Sequence, residues 1–229
     1  QMNKIKILLI IAFIFIAKAV SAQTYDLYGN EINRFQFIVK GGLTLSNTTK
    51  LSAGQSGKES IAFGYNAGLL ADIYLDGGIY LQTGVDLTTK GSRIKKFAMS
   101  ENKQTGLRMN MLYLQVPLLF VFKIPVANTG EDSFNFAIGP YYAYGLDGKI
   151  KGRKKGSAFE RLKTFGDDGV CKDSDWGMIL QAQFETEKLF ISYGAEIGLV
   201  SIMKKESLPA GFNKKIKNYG FGASIGYKF

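Results

Sequence analysis

The stretch Tyr219-Gly220-Phe221-Gly222-Ala223-Ser224-Ile225-Gly226-Tyr227-Lys228-Phe229 decides the fold. Tyr219, Phe221, Ala223, Ile225, Tyr227 and Phe229 alternate with Gly220, Gly222, Ser224, Gly226 and Lys228. Successive side chains of a strand point to opposite faces, so period two gives one apolar, aromatic face and one face of small residues with a single cation. On a helix the same apolar residues would be scattered around the axis. Glycine suits the crowded interior of a narrow barrel better than it suits a second hydrophobic core.

Working outward, seven earlier stretches repeat the alternation: 35–46, 61–75, 79–90, 109–123, 134–146, 175–185 and 189–199. In the first, Phe35, Phe37, Val39, Leu43 and Leu45 oppose Gln36, Lys40, Thr44 and Ser46, with Ile38 as the exception. In the sixth, Trp176, Met178, Leu180 and Phe184 oppose Asp175, Gly177, Gln181, Gln183 and Glu185. The fourth is less clean, because Tyr113, Pro117 and Leu119 share the minor phase with Gln115. Pro117 has no N–H, which in an open sheet would send that strand to an edge or a bulge. Each stretch reaches the roughly 9–11 residues that a tilted strand needs to cross a bilayer. The pattern predicts an all-β fold, a closed antiparallel transmembrane β-barrel of about eight strands in up-and-down order. Phe35, Phe63, Phe122, Phe134, Tyr219 and Phe229, near strand ends on the apolar phase, are expected at the two membrane interfaces.

The connections alternate in length. Asp76-Gly77-Gly78, 124–133 and Thr186-Glu187-Lys188 are short, whereas 47–60, 91–108, 147–174 and 201–217 are long. Short periplasmic turns and long external loops are the expected arrangement of such a barrel.

Upstream, Met2-Asn3-Lys4-Ile5-Lys6 is a basic segment, 7–17 is apolar, and Val20-Ser21-Ala22 offers small residues for cleavage. Residues 1–22 therefore read as a cleaved signal peptide, leaving 23–229 as a single outer-membrane barrel domain. The apolar run is shorter than the roughly 20 residues of a spanning helix. Export predicts residence in the bacterial outer membrane.

Composition narrows the chemistry. The chain is 46% hydrophobic and 21% charged, with a net charge of +10 and no histidine. Without imidazole there is no Ser–His or Cys–His nucleophile and no His-based zinc site. A lone cysteine, Cys171, cannot form an internal disulfide. Gly220-Phe221-Gly222 lacks the spacing and following helix of a dinucleotide loop. Asp167-Asp168-Gly169 with Asp173 and Asp175 could gather calcium, but the spacing is not that of an EF-hand. Asn47-Thr48-Thr49 matches a glycosylation triplet by pattern alone. No catalytic, cofactor or metal site is expected, and the chain reads as non-enzymatic.

Charge placement supplies the candidate sites. Lys40, Asp72, Asp86, Glu185 and Glu196 fall on the lumen phase and are expected to form a polar network, because a lone buried charge is costly. The basic clusters fall in the long connections. Arg93, Lys95, Lys96, Arg153, Lys154 and Lys155 are the candidate lipid- or partner-binding residues, since arginine grips phosphate with two parallel hydrogen bonds. The expected partners are outer-membrane lipids, lipopolysaccharide among them, and a protein not named by the sequence. Nucleic acid is excluded by export and by the absence of regularly interleaved aromatics.

Four segments carry a resemblance: 81–91, Tyr113-Leu114-Gln115-Val116-Pro117-Leu118-Leu119, Gly139-Pro140-Tyr141, and the closing stretch with its Gly-Tyr-Lys-Phe. In them the chain resembles the PorT-like outer-membrane β-barrel proteins of the Bacteroidetes. The resemblance implies the family's barrel and makes Pro117 its strand-four proline. Acidic residues common in the family are replaced here by Gly84 and Gln115. Some relatives act in protein secretion and gliding. Two functions are therefore expected: an anchoring or interaction barrel acting through basic external loops, or a narrow pore or component of a secretion or transport assembly.

Overall fold

Each alternating stretch folds into a strand, and the ladders close on themselves. The computed structural model describes residues 24–25, 31–32, 34–49, 59–98, 104–126, 132–154, 160–204 and 216–229. The proposed signal peptide lies outside the described residues. A separate two-stranded pair, β1 (Thr24–Tyr25) and β2 (Glu31–Ile32), precedes the barrel. The barrel strands are β3 (Phe35–Thr48), β4 (Glu59–Asp76), β5 (Ile79–Ala98), β6 (Gln104–Pro125) and β7 (Ser133–Lys154), then β9 (Ser174–Glu185), β10 (Leu189–Gly198) and β11 (Asn218–Lys228). β8 (Glu160–Leu162) is a short strand added to the far end of β7.

Consecutive barrel strands pair antiparallel, and β11 returns to β3 from Asn218↔Thr48 to Lys228↔Ile38. The result is a closed barrel of eight strands. Closure removes the unpaired edges that an open sheet would expose. The β4–β5 hairpin turns on Gly77 and Gly78, with φ of 55° and 83°. Positive φ at both central residues matches the hairpin turn whose twist follows that of the strands.

The face assignment follows the lipid–lumen division. Leu43, Phe63, Leu69, Trp176, Leu180, Tyr193 and Ile225 are exposed on the outside. Of the expected girdle residues, Phe63, Phe122, Phe134, Tyr219 and Phe229 are exposed and Phe35 is half-buried. Inside, Gln82, Asp72, Gln115, Gln183 and Glu185 are buried.

Two sequence expectations are corrected, the first and third below, and ring closure settles the place of Pro117, which only an open sheet would have sent to an edge. First, much of 91–108 and 147–154 is paired strand and not loop, with Ser92↔Met109, Arg93↔Arg108 and Arg108↔Lys151 in register. Arg93, Lys95 and Lys96 thus lie on β5, and Arg153 and Lys154 on β7; Lys155 lies outside the described residues. The apolar alternation fades there because the outer face no longer needs to match hydrocarbon, while backbone hydrogen bonds continue the ladder.

Second, Pro117 makes no edge. It registers with Tyr141 on β7, while the β5–β6 ladder is interrupted between Thr83↔Leu118 and Asp86↔Gln115 without a change of register. Thr83 Oγ1 donates to Pro117 O at 2.9 Å across that gap.

Third, the interior is not polar throughout. Ile38, Leu70 and Phe190 form one buried apolar cluster. Met109, Met111 and Tyr113 join Cys171, Ile202 and Met203 in another. The minor-phase aromatics and aliphatics that blurred the sequence pattern are interior packing, not errors of register.

The rims give a topological test. Cysteines placed at Gly77, in a short turn, and at Asp167, exposed beyond β8, should be labelled from opposite sides of the membrane. A membrane-impermeant maleimide applied to whole cells should modify Asp167→Cys and leave Gly77→Cys intact. Reaction of both from outside would refute the assigned orientation.

Candidate functional site

The lumen holds two separate ionic groups. Near the short-turn rim, Lys123 Nζ on β6 lies 2.8 Å from Asp72 Oδ2 on β4 and 2.8 Å from Glu185 Oε2 on β9. It also donates to Gln36 Oε1 at 3.3 Å and sits 4.4 Å from the Tyr80 ring centroid. Lys228 Nζ on β11 reaches the same Glu185 oxygen at 2.9 Å and donates to Thr186 O at 2.9 Å. Gln82 Nε2 donates to Asp72 Oδ1 at 2.7 Å, and Gln183 Nε2 donates to Gln82 Oε1 at 3.0 Å. Two lysines thus face two carboxylates.

Further along the barrel, Lys40 Nζ lies 2.7 Å from Asp86 Oδ2. Lys90 Nζ lies 3.0 Å from Glu196 Oε2, 3.7 Å from Asp175 Oδ2 and 3.9 Å from the Tyr141 ring centroid. Gln115 Nε2 donates to Glu196 at 3.0 Å, and Asn218 Nδ2 donates to Asp175 at 3.0 Å. A cavity of about 30 Å³ lies among Lys40, Asp86, Lys90, Glu196 and Ser224. It has room for about two water molecules.

The structure therefore splits the five sequence-derived lumen residues. Asp72 and Glu185 share Lys123; Lys40 pairs with Asp86 and Glu196 pairs with Lys90 around one cavity. Sequence reasoning missed Lys90, Lys123, Lys228 and Asp175 as partners. All of them stand on the minor phase of their stretches, so strict use of period two would have found them. Pairing lets these charges persist away from water, although it does not make them a large source of stability.

The long-strand end of the lumen is covered from within. Cys171 bridges antiparallel to Met203, Lys172 N donates to Ile202 O at 2.8 Å, and Ile202 N donates to Ile216 O at 2.8 Å. Phe165 packs edge-on against Tyr113, with ring centroids 5.5 Å apart. It fits because Gly145 has no side chain: a Cβ there would lie 2.4 Å from Phe165 Cε1. Val170-Cys171 and Ile202-Met203 are apolar islands in polar connections, a signal the strand analysis passed over. Asp173 Oδ1 instead accepts from Gly166 N at 2.7 Å, and Asp168 pairs with Lys163 at 3.2 Å.

Cys171 is fully buried, and burial pushes its thiol up to about 12. Thiolate is the reactive form, so the folded protein should resist maleimide at pH 7.5 and react after denaturation. Equal labelling rates before and after denaturation would place the thiol in solvent.

On the outer face beyond the apolar band, Arg108 and Lys149 are exposed and Arg93 is half-buried. Among the described residues no carboxylate pairs with any of the three. The side chains of Lys95, Lys96, Arg153 and Lys154 lie outside the described set.

A model of the outer membrane protein beta-barrel domain matches residues 21–204. The fold is similar to that of Ail, the attachment invasion locus protein of Yersinia pestis, at 15% identity over 86% of this chain and 100% of that one, with a TM-score of 0.40. OprG of Pseudomonas aeruginosa is similar at 14% identity over 85% of this chain and 95% of that chain, with a TM-score of 0.49. Neisserial surface protein A is similar at 11% identity over 84% and 97%, with a TM-score of 0.42. No curated protein matches the chain.

Proposed function

This chain belongs to the outer membrane protein beta-barrel domain family, and from that membership we propose that it is a non-enzymatic barrel that engages the outer membrane or a partner through its basic external rim. Its location is the bacterial outer membrane. Within the family we assign it to the PorT-like proteins, on the strength of the segment from Tyr113 to Leu119, Gly139-Pro140-Tyr141 and the closing aromatic–glycine stretch.

The observation that carries this reading is the division of charge. The lumen lysines and carboxylates are spent on one another, as in Lys123 with Asp72 and Glu185. The outer cations Arg93, Arg108 and Lys149 have no such partners among the described residues. Free cationic groups at a membrane surface attract lipid phosphates and acidic proteins. A hydrolytic site is disfavoured by the absence of histidine and by the mutual pairing of the lumen carboxylates.

Neutralising Arg93, Lys95, Lys96, Arg153, Lys154 and Lys155 together is expected to weaken association with lipopolysaccharide-containing membranes. Added salt should mimic this in the wild type, because exposed charges are screened beyond about 8 Å at physiological ionic strength. Unchanged binding at low and high salt would reduce the rim to a solvated surface.

The mid-lumen cavity favours a second reading, a narrow pore or a component of a secretion or transport assembly. Steady single-channel currents in planar bilayers would select it over the closed barrel.

A further inference from the structure

The strand register aligns cations that are far apart in sequence. Arg93 on β5 is opposite Arg108 on β6, Arg108 is opposite Lys151 on β7, and Lys151 is opposite Arg161 on β8. On the other side of Arg93 stands Ser60 of β4. The row thus contains no acid. Glu59 registers with Ile94 and Glu160 with Gly152, each one step off the row. Asp147 is opposite Leu112, and its Oδ1 accepts from Gly148 N at 2.8 Å.

Like charges directly opposite each other destabilise a sheet. A row of them is therefore unfavourable unless an anion lies along it. Neighbouring strands are about 4.8 Å apart, so the row spans about 14 Å. Three of its members are arginines, which bind phosphate through paired, nearly planar N–H donors.

Its level identifies the anion. The outer face of β6 reads Arg108, Asn110, Leu112, Leu114, Val116 from the external end inward, with Val116 exposed among the outer apolar residues. Arg108 stands about 13 Å along the strand beyond Leu112, or about 10 Å along the membrane normal at a tilt of about 40°. That is just outside a head-group layer of about 5–8 Å, within reach of an extended arginine. Arg108 is on the barrel wall, beside the surrounding leaflet, and not at a loop tip.

We propose that the row Arg93–Arg108–Lys151–Arg161 is a binding site for the phosphates of an outer-leaflet glycolipid whose head group carries a phosphate at each end of a disaccharide. The proposal rests on the basic-rim reading above and adds Arg108, Lys151 and Arg161 to it. The acyl chains of such a lipid lie against the apolar wall below, and its two phosphates meet different members of the row.

The test uses the full barrel in phosphatidylcholine nanodiscs titrated with diphosphorylated lipid A, with bound lipid counted by native mass spectrometry. Arg108→Gln/Arg161→Gln should weaken binding about a hundredfold, about tenfold per arginine. The charge-matched Lys163→Gln/Lys172→Gln, exposed past β8 and off the row, should stay within about threefold of wild type. Arg108→Lys/Arg161→Lys, which keeps the charge and loses the fork, should fall between them and serves as the test if the glutamine pair does not fold, as judged by heat-modifiable gel migration. Dephosphorylated lipid A should bind no better than the carrier lipid, and millimolar inorganic phosphate should not displace the glycolipid.

Equal losses in the row and off-row variants would overturn the row in favour of diffuse charge. Equal binding of dephosphorylated lipid would also overturn it, and displacement by free phosphate would assign the site to a soluble anion. If the six-residue neutralisation weakens membrane binding while Arg108→Gln/Arg161→Gln does not, the row fails and the basic-rim reading survives. If neither acts, both fail.

Discussion

Replacing Lys123 with methionine is expected to destabilise the folded barrel by about 3–5 kcal/mol, the cost of leaving buried charge without its partner. Lys123 is the shared cation of Asp72 and Glu185, each 2.8 Å away. Both carboxylates are fully buried. Glu185 keeps Lys228 at 2.9 Å, but Asp72 keeps only the hydrogen bond from Gln82. The loss therefore falls mainly on Asp72. Asp72→Leu/Lys123→Met removes the orphaned charge along with its partner and should recover most of the loss, since an apolar pair of similar volume can replace an ion pair at little cost. Urea unfolding of vesicle-reconstituted protein measures both variants. A single-mutant loss below about 1 kcal/mol would mean that water reaches the group and screens it as it does a surface pair.

Ile225→Lys is expected to cost about 2–4 kcal/mol, as an ammonium near the middle of the lipid face does in other barrels. Ile225 is 60% exposed on the outer wall, between Gly41 of β3 and Ile191 of β10. Its neighbour Ser224 is 8% exposed in the lumen, where its hydroxyl donates to Asn66 Oδ1 at 2.8 Å. Ser224→Lys would place the same ammonium beside the cavity that Asp86 and Glu196 border, and should cost clearly less. The pair differs by one residue and by which side of the wall it meets. Equal loss of folded, heat-modifiable barrel from the two substitutions would invalidate the face assignment along β11.

Both experiments depend on features of different legibility. The face of Ile225 is set by its own strand. Lipid outside and a crowded polar interior impose alternation on every membrane-crossing residue, so Tyr219 to Phe229 records the division without reference to any other segment. The same holds for Lys40, Asp72, Asp86, Glu185 and Glu196, whose inward placement follows from phase alone.

What the sequence by itself determined is the closed barrel, its strand order and the side of the wall that each membrane-crossing residue faces, because these depend on a local period and on the solvent at each face. Only the tertiary structure decided which charges meet. Asp72, Lys123 and Glu185 come from three strands of which no two are neighbours, and Arg93, Arg108, Lys151 and Arg161 align only after register is fixed. The inward cover built from Cys171, Ile202, Met203 and Phe165 likewise has no period to announce it. Register and tilt are properties of the whole ring, since each strand's stagger must sum to a shear that closes the barrel. No single strand carries that sum, so contacts across the lumen and along a row emerge only when the ring is closed.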